Sequence, residues 1–202
     1  MYTKDITAPN PQGKGAITLL EDLNSSNVYK AVAKDIPHWL ADYFTSLLVL
    51  SASFNFKPIM NKPYYLYLDN LEWKLSLIAP NEWSNCPYEY FAKCMLNQDR
   101  SWRLNPKDNW NENTKIKNYI NSIKKEFLLS LNNDTPLVES LPYCAQHLPY
   151  YQRLAAFGLA NSLKDSLQLA LGYDESRCVS GKKFLKQVSH SEVFKLDNIR
   201  YI

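Results

Sequence analysis

The chain lacks the cysteine and histidine spacings that form metal or redox sites. Its cysteines and histidines are scattered along 202 residues: Cys86, Cys94, Cys144, Cys178, His38, His147 and His190. They form no CxxC, HxxxH or HxH pair, so a metal centre would need ligands that converge from distant segments. A cysteine nucleophile would likewise need a histidine brought close by the fold. We therefore expect no metal and no cofactor, and we expect reduced thiols.

Strong charge and long apolar runs are also missing. The net charge is only +3, which is too weak to require a nucleic-acid partner. The longest apolar run, Leu47–Leu50, is far too short to cross a bilayer. The first residues do not combine a charged start with an apolar core, so we expect no secretory signal. These absences predict a cytoplasmic protein without a membrane partner.

The composition is that of a folded protein with many aromatic residues. Hydrophobic residues make up 46% of the chain and charged residues 21%, so disorder is not the expected state. Aromatic residues make up 13%, with 14 Tyr and 5 Trp. Because Tyr and Trp combine an apolar body with a polar tip, they are suited to grooves and interfaces as well as to the core.

Apolar residues recur at helical spacing in several segments. The predicted helices are Ala16–Leu23, Val28–Phe54, Pro87–Met95, Thr114–Leu131 and Pro149–Leu171. Pro37 is expected to restart the second of these helices, and Gly172 is expected to cap the last one. In the third helix, Tyr90, Phe91 and Cys94 are predicted to face inward.

One β-hairpin is the strongest local signal. Tyr64–Leu68 and Trp73–Ile78 are rich in aromatic and aliphatic residues, and Asp69-Asn70 lies between them as a predicted turn. Because side chains alternate along a strand, Tyr65 and Tyr67 should lie on one face of the hairpin.

These elements together predict an α+β fold. A small antiparallel sheet, built on the hairpin at 64–78, is expected to pack against the Trp39–Phe54 helix. The polar stretch Asp99–Asn113 is predicted to be an ordered loop, because its tryptophans are costly to leave in water. We expect one compact unit over residues 1–202, in which 1–110 form the α+β core and 111–202 a mainly helical half.

Several short motifs occur in a fixed order along the first half of the chain. They are Asn10-Pro11-Gln12-Gly13-Lys14-Gly15, Tyr64-Tyr65-Leu66-Tyr67, Ser76-Leu77-Ile78-x-Pro80-x-Glu82-Trp83, Cys86-Pro87 and Asp99-x-Ser101-Trp102. In this order and spacing, residues 9–103 resemble the domain of unknown function 2452 family, which occurs in bacteria and has distant eukaryotic relatives. The resemblance implies no activity, because the family has no established one to carry over.

The N-terminal arm is the first candidate site. Glycines let backbone N–H groups approach an anion, and Gln12 and Lys14 lie among the two glycines of this arm. The glycine spacing is not that of a Walker motif. The alternative interpretation is an arm that turns and docks on the core.

Glu82 and Asp99 form the second candidate site. A carboxylate beside an indole, as in Glu82-Trp83, can be desolvated and can then serve as a general acid or base. The structural alternative is that Glu82 caps or salt-bridges a corner and Asp99 caps a turn.

The stretch from Asp99 to Trp110 is the third candidate site. Arg100, Trp102 and Arg103 interleave cations with aromatics, a pattern that suits stacking on bases and contact with phosphates. With Trp83, these residues would line a binding surface. The alternative is a loop pinned by two buried tryptophans whose arginines are solvated.

Two classes of function follow from these sites. The first is a non-catalytic binding or regulatory module for a protein or RNA partner, because no coherent catalytic set is visible. The second is a small enzyme for a phosphorylated or nucleotide-like substrate, which requires Lys14, Glu82 and Asp99 to share one pocket. The small-residue helix around Gly158 fits either the core or the seam of a symmetric homodimer.

Overall fold

The computed structural model describes residues 29–141 and 149–187. In this part of the chain the strands are β1 (Pro63–Asp69), β2 (Glu72–Ser76), β3 (Glu89–Leu96) and β4 (Trp102–Pro106). The helices are α1 (Ile36–Leu50), α2 (Thr114–Leu131), α3 (Tyr150–Leu171), α4 (Tyr173–Cys178) and α5 (Gly181–Gln187). The α+β prediction is therefore confirmed, with a mainly helical C-terminal half. The predicted N-terminal arm and the Ala16–Leu23 helix lie outside the described residues.

The four strands form one antiparallel sheet in the order β2-β1-β3-β4. Its inner face carries Leu66, Trp73 and Leu104, which pack against α1 and α2 in one buried cluster. The hairpin of β1 and β2 matches the prediction. Its turn, however, is Asn70-Leu71 rather than Asp69-Asn70, because Asp69 still pairs with Glu72.

Leu71 occupies a backbone conformation that favours glycine. Asn70 and Leu71 have φ angles of 46° and 70°, the left-handed geometry of a two-residue type I′ hairpin turn. The Leu71 side chain is 61% exposed, so little packing offsets the strain. We expect Leu71→Gly to raise the free energy of unfolding by about 0.5–1 kcal/mol, measured by denaturant unfolding.

Leu77→Gly is the matched control for this prediction. Leu77 is 60% exposed, and it is not among the described residues with positive φ. Glycine there adds entropy to the unfolded chain without relieving strain, so the same substitution should lower stability by about 0.5–1 kcal/mol. If both variants lost stability to the same extent, the left-handed strain at Leu71 would be disproved as the cause.

The predicted Pro87–Met95 helix is wrong, because this segment forms β3. Leu66 pairs with Ala92 and the next residue of β1, Tyr67, pairs with Tyr90, so Phe91 is an extra residue in the ladder. This β-bulge buries the two consecutive residues Phe91 and Ala92 on the inner face. Burial of neighbouring residues breaks the period of two, and the spacing therefore resembled a helix.

The predicted loop Asp99–Asn113 is also wrong in part, because it contains β4. Trp102 and Leu104 alternate with Arg103 and Asn105, which is the period of a strand with one buried face. Pro106 ends the strand at the edge of the sheet, where a missing N–H is tolerated. Two hydroxyls of α1 pair with the backbone of Trp102 at this edge. Ser46 Oγ accepts from Trp102 N at 2.8 Å, and Thr45 Oγ1 donates to Trp102 O at 2.9 Å.

Helix α1 lies between the sheet and the other helices. Ala41, Leu48 and Val49 pack in the cluster of the sheet, whereas Trp39 and Phe44 pack in a second cluster with α2, α3 and α5. A helix with partners on several sides is apolar nearly all round. This position explains why α1 is so completely buried.

Helix α3 ends as the sequence predicts, at Leu171, and Gly172 follows with φ 84°. The small residues Gly158, Ala160 and Ser162 are buried within the chain. Nearby, the indole N–H of Trp39 donates to Leu163 O at 3.0 Å, which joins α1 to α3. Among the residues described, no helix has the length and apolar character that spanning a membrane requires.

Candidate functional site

The outer face of the sheet carries a cluster of tyrosines. Strand pairing places Tyr65 and Tyr67 of β1 and Tyr90 of β3 on this face, on the two central strands. The ring of Tyr90 lies 6.4 Å from that of Tyr65 and 5.6 Å from that of Tyr67. Tyr65 and Tyr90 are half-buried, whereas Tyr67 is buried. The face therefore presents Tyr65 and Tyr90 to solvent, next to the buried ring of Tyr67.

The Trp83 corner closes one side of this cluster. The segment after β2 turns through Pro80–Glu82, and the Glu82 carboxylate accepts a hydrogen bond from Ala79 N at 2.6 Å. This cap directs Trp83 onto Tyr67 and Tyr88, with ring centroids 6.2 and 6.0 Å away. Glu82 thus holds a corner in place, which is the structural alternative given for it above.

Charge is distributed unevenly over the outer face. Asp69 and Glu72 lie at the hairpin end, where Asp69 pairs with Lys74 at 2.7 Å. Lys93 and Arg103 lie toward the opposite end: Lys93 is opposite Tyr65, and Arg103 is opposite Met95. The half of the face that holds Tyr65 is therefore the basic half.

Burial favours the neutral form of two phenols on this face, those of Tyr67 and Tyr90. Burial raises the pKa of Tyr90 to about 12, and the nearby Cys94 and tyrosines add to the shift. Burial also raises the pKa of Tyr67. Tyr67 uses its hydroxyl to donate to Ile78 O at 2.9 Å, so it anchors the corner. Tyr67 and Tyr90 therefore offer neutral rings and hydroxyls rather than a general base.

A polar cleft of about 570 Å³ opens at the β4 edge. The charged groups that line it cancel, with Lys30, Lys34 and Arg103 against Asp35, Asp42 and Asp99. At its base the Lys34 ammonium contacts two buried carboxylates, Asp42 at 2.5 Å and Asp99. Ser101 donates to Asp99 through its backbone N–H at 3.1 Å and its hydroxyl at 2.6 Å.

The pKa directions in the cleft fit a structural ion network. Burial alone would raise the pKa of Asp99, but the Lys34 ammonium and the Ser101 hydrogen bonds bring it below its usual range. Burial would lower the pKa of Lys34, and the two carboxylates more than offset this effect and raise it. Both partners are held in their charged forms, which suits a structural link better than proton transfer.

Glu82 and Asp99 occupy different parts of the sheet. Glu82 follows β2, Asp99 lies in the turn between β3 and β4, and β1 separates β2 from β3. Each carboxylate is engaged by its own neighbours, Ala79 for Glu82 and Lys34 for Asp99. Gln12 and Lys14 lie outside the described residues.

The structure separates the three residues of the predicted base-stacking stretch. Trp102 is 1% exposed and points into the core, where its ring packs against Tyr64. Arg103 lies on the outer face, and Arg100 lines an apolar cavity beside α3. Trp102 therefore cannot stack on a base at the surface. The aromatic strand residues on the same face as Arg103 are Tyr65, Tyr67 and Tyr90, with Trp83 packed beside Tyr67.

Sequence reasoning missed several residues of these sites. Tyr90 and Lys93 fall in the segment that the spacing predicts to be a helix, because the bulge at Phe91 hides the strand period. Lys34 precedes α1 and Asp42 lies within it, and nothing in the sequence connects them to Asp99, which is 65 residues from Lys34. Only the fold brings them together.

No protein-family model, no curated protein and no solved structure matches the chain significantly. The resemblance to the domain of unknown function 2452 family therefore stays a prediction, and function must be argued from the surfaces themselves.

Proposed function

We propose that this chain is a non-catalytic binding module, and that the outer face of its sheet binds single-stranded RNA. The observation that carries the proposal is the position of Tyr65 and Tyr90, half-exposed on the two central strands with Lys93 opposite Tyr65. Aromatic rings on the central strands of a four-stranded sheet are suited to stacking on unpaired bases. The adjacent cations are suited to the phosphates.

The geometry favours RNA over a folded protein partner for this face. Lys93 lies opposite Tyr65, Arg103 lies on the edge strand beside the polar cleft, and the acids Asp69 and Glu72 are at the far end. Stacking tolerates any base because each base has a π-face, so we expect weak sequence preference. Arg103 also lines the polar cleft, whose other charged groups are two lysines and three aspartates, so the phosphate site ends at this residue.

Binding should be measured by fluorescence anisotropy of a labelled single-stranded RNA over a series of salt concentrations. Tyr65→Leu should weaken binding by about 1–3 kcal/mol, the cost of losing one stacked base. Replacing both Lys93 and Arg103 with Gln should weaken binding and reduce the salt slope by about 1.4, because each phosphate contact to a single strand contributes about 0.7.

The control variant replaces Lys125 and Lys186 with Gln. It makes the same change in net charge, and both lysines are exposed in the groove between α2 and α5, away from the sheet face. It should leave the affinity nearly unchanged. The absence of binding at low salt, or equal losses in the two charge variants, would reject the RNA site. Equal losses would mean that the net positive charge of the protein, and not this face, attracts the RNA.

A further inference from the structure

An apolar cavity with a cationic rim lies between residues 57–60, the end of β3 and the first turns of α3. Its volume is about 480 Å³, which is within the range of small-molecule sites. Ile59, Leu96, Tyr151 and Leu154 form much of its wall. The two charged residues that line it, Lys57 and Arg100, are both cationic. The cavity thus combines apolar walls with charge of a single sign.

Arg100 is held at this cavity against its backbone preference. It lies in the loop that joins β3 to β4, in which Arg100 N donates to Asn97 O at 3.1 Å and Asn97 N donates to Ser101 O at 2.9 Å. Its φ of 66° places it in the left-handed region, where glycine costs least. An arginine at such a position keeps a half-buried guanidinium beside an apolar wall. Strain retained next to a cavity motivates a functional hypothesis.

We propose that this cavity binds a small amphiphile with one anionic head and an unbranched aliphatic tail. The head contacts the Arg100 guanidinium, whose planar donors match a carboxylate or phosphate. The tail lies against Ile59, Leu96 and Leu154. The site does not depend on the outer face, since Arg100 and Arg103 point to different parts of the molecule.

The test is isothermal titration with decanoate at monomeric concentration. Decyltrimethylammonium has the same tail and a cationic head, so it serves as the control ligand and should not bind. Arg100→Gln should lower the affinity for decanoate by about tenfold or more, as expected for loss of a charge-assisted hydrogen bond. Arg153→Gln, which removes an α3 arginine that does not line the cavity, should leave decanoate binding unchanged.

Two further variants separate ligand binding from folding. Arg100→Gly should lose affinity like Arg100→Gln, yet it should keep or raise the Tm because glycine accepts the left-handed backbone. Ala155→Trp keeps the charge and fills the cavity, so it should abolish binding. Retained decanoate affinity in either variant would overturn the proposed site.

A vesicle experiment distinguishes a free amphiphile from a lipid surface. Sedimentation with phosphatidylcholine vesicles that contain phosphatidylserine, together with no binding of monomeric decanoate, would overturn the proposal in favour of a membrane headgroup. Equal binding of decanoate and decyltrimethylammonium would also overturn it, because the cavity would then be selecting apolar tails alone.

Discussion

Replacing Lys34 with methionine is expected to lower the free energy of unfolding by about 3–5 kcal/mol, because it leaves two buried carboxylates without their shared cation. Asp42 and Asp99 are 4% and 8% exposed, and the Lys34 ammonium contacts both. Methionine retains much of the apolar stem, so the loss reports mainly the missing charge. Chemical denaturation at neutral pH measures it. A loss of this size is a large fraction of the stability of a typical domain.

The stability lost in the Lys34→Met variant should be smaller at acidic pH. The folded-state pKa of Asp99 lies below its ordinary value of about 3.9 in the native chain. Its stabilisation is therefore present above the unfolded pKa and is lost as the pH falls through the folded pKa. In the variant the Asp99 carboxylate loses the Lys34 ammonium and protonates more readily, which relieves its uncompensated charge. The difference between the two proteins should be largest near neutral pH and smaller near about pH 4.

Lys117→Met provides the control, because Lys117 is exposed on α2 and the substitution is chemically the same. It should change stability by no more than about 0.5 kcal/mol. Asp99→Asn tests the coupling between Lys34 and Asp99. The double variant with Lys34→Met should lose less free energy of unfolding than the sum of the two single losses. Additive losses, or a Lys34 deficit that is constant with pH, would contradict the ion network.

The sequence predicts those helices and strands whose ends are set by residues close to them in the chain. Helix α2 begins and ends where predicted, because Asn113 caps its first turn with hydrogen bonds to Lys115 N and Ile116 N and polar residues follow Leu131. The hairpin of β1 and β2 has alternating side chains and a short turn. In both cases the information lies within a few neighbouring residues.

The features that the sequence did not predict share a different cause. Each depends on a partner strand or on a residue that is distant in the chain. The bulge at Phe91 is a property of the pairing with β1, and within β3 alone it resembles helical spacing. The ion network needs Lys34 from the segment before α1, Asp42 from α1 and Asp99 from the turn between β3 and β4 to meet. Because the sequence shows neither pairing nor proximity, Asp99 could be singled out but its partner could not.

The same reasoning corrects the candidate site. The interleaving of Arg100, Trp102 and Arg103 suggested one surface, yet a strand sends alternate residues to opposite faces. Trp102 therefore belongs to the core and Arg103 to the outer face, while Arg100 precedes β4 and lines a separate cavity. In the proposed RNA site, Tyr65 and Tyr90 take the stacking role that the sequence pattern suggested for Trp102.

The second large effect is expected at Gly181, the first residue of α5. A Cβ atom on this glycine would lie 2.0 Å from the carbonyl oxygen of Leu131, at the end of α2. Backbone cannot give way as a flexible side chain can, so Gly181→Ala should displace α5. Helix α5 buries Phe184, which is 0% exposed and whose ring lies 5.3 Å from that of Trp39. We expect a loss of about 3–5 kcal/mol in denaturant unfolding, the cost of removing a buried phenylalanine.

Gly172→Ala is the matched control for Gly181→Ala. Gly172 has φ 84°, but no atom lies within 4 Å of a Cβ added there. Alanine at this position therefore bears only backbone strain, about 1–3 kcal/mol, because φ 84° with ψ 162° is a conformation that glycine alone adopts readily. Hydrogen exchange provides a local measurement: Gly181→Ala should expose the amides of α5, and Gly172→Ala should leave them protected. If Gly181→Ala cost no more than Gly172→Ala, the close approach of α5 to Leu131 would not be what holds this helix in place.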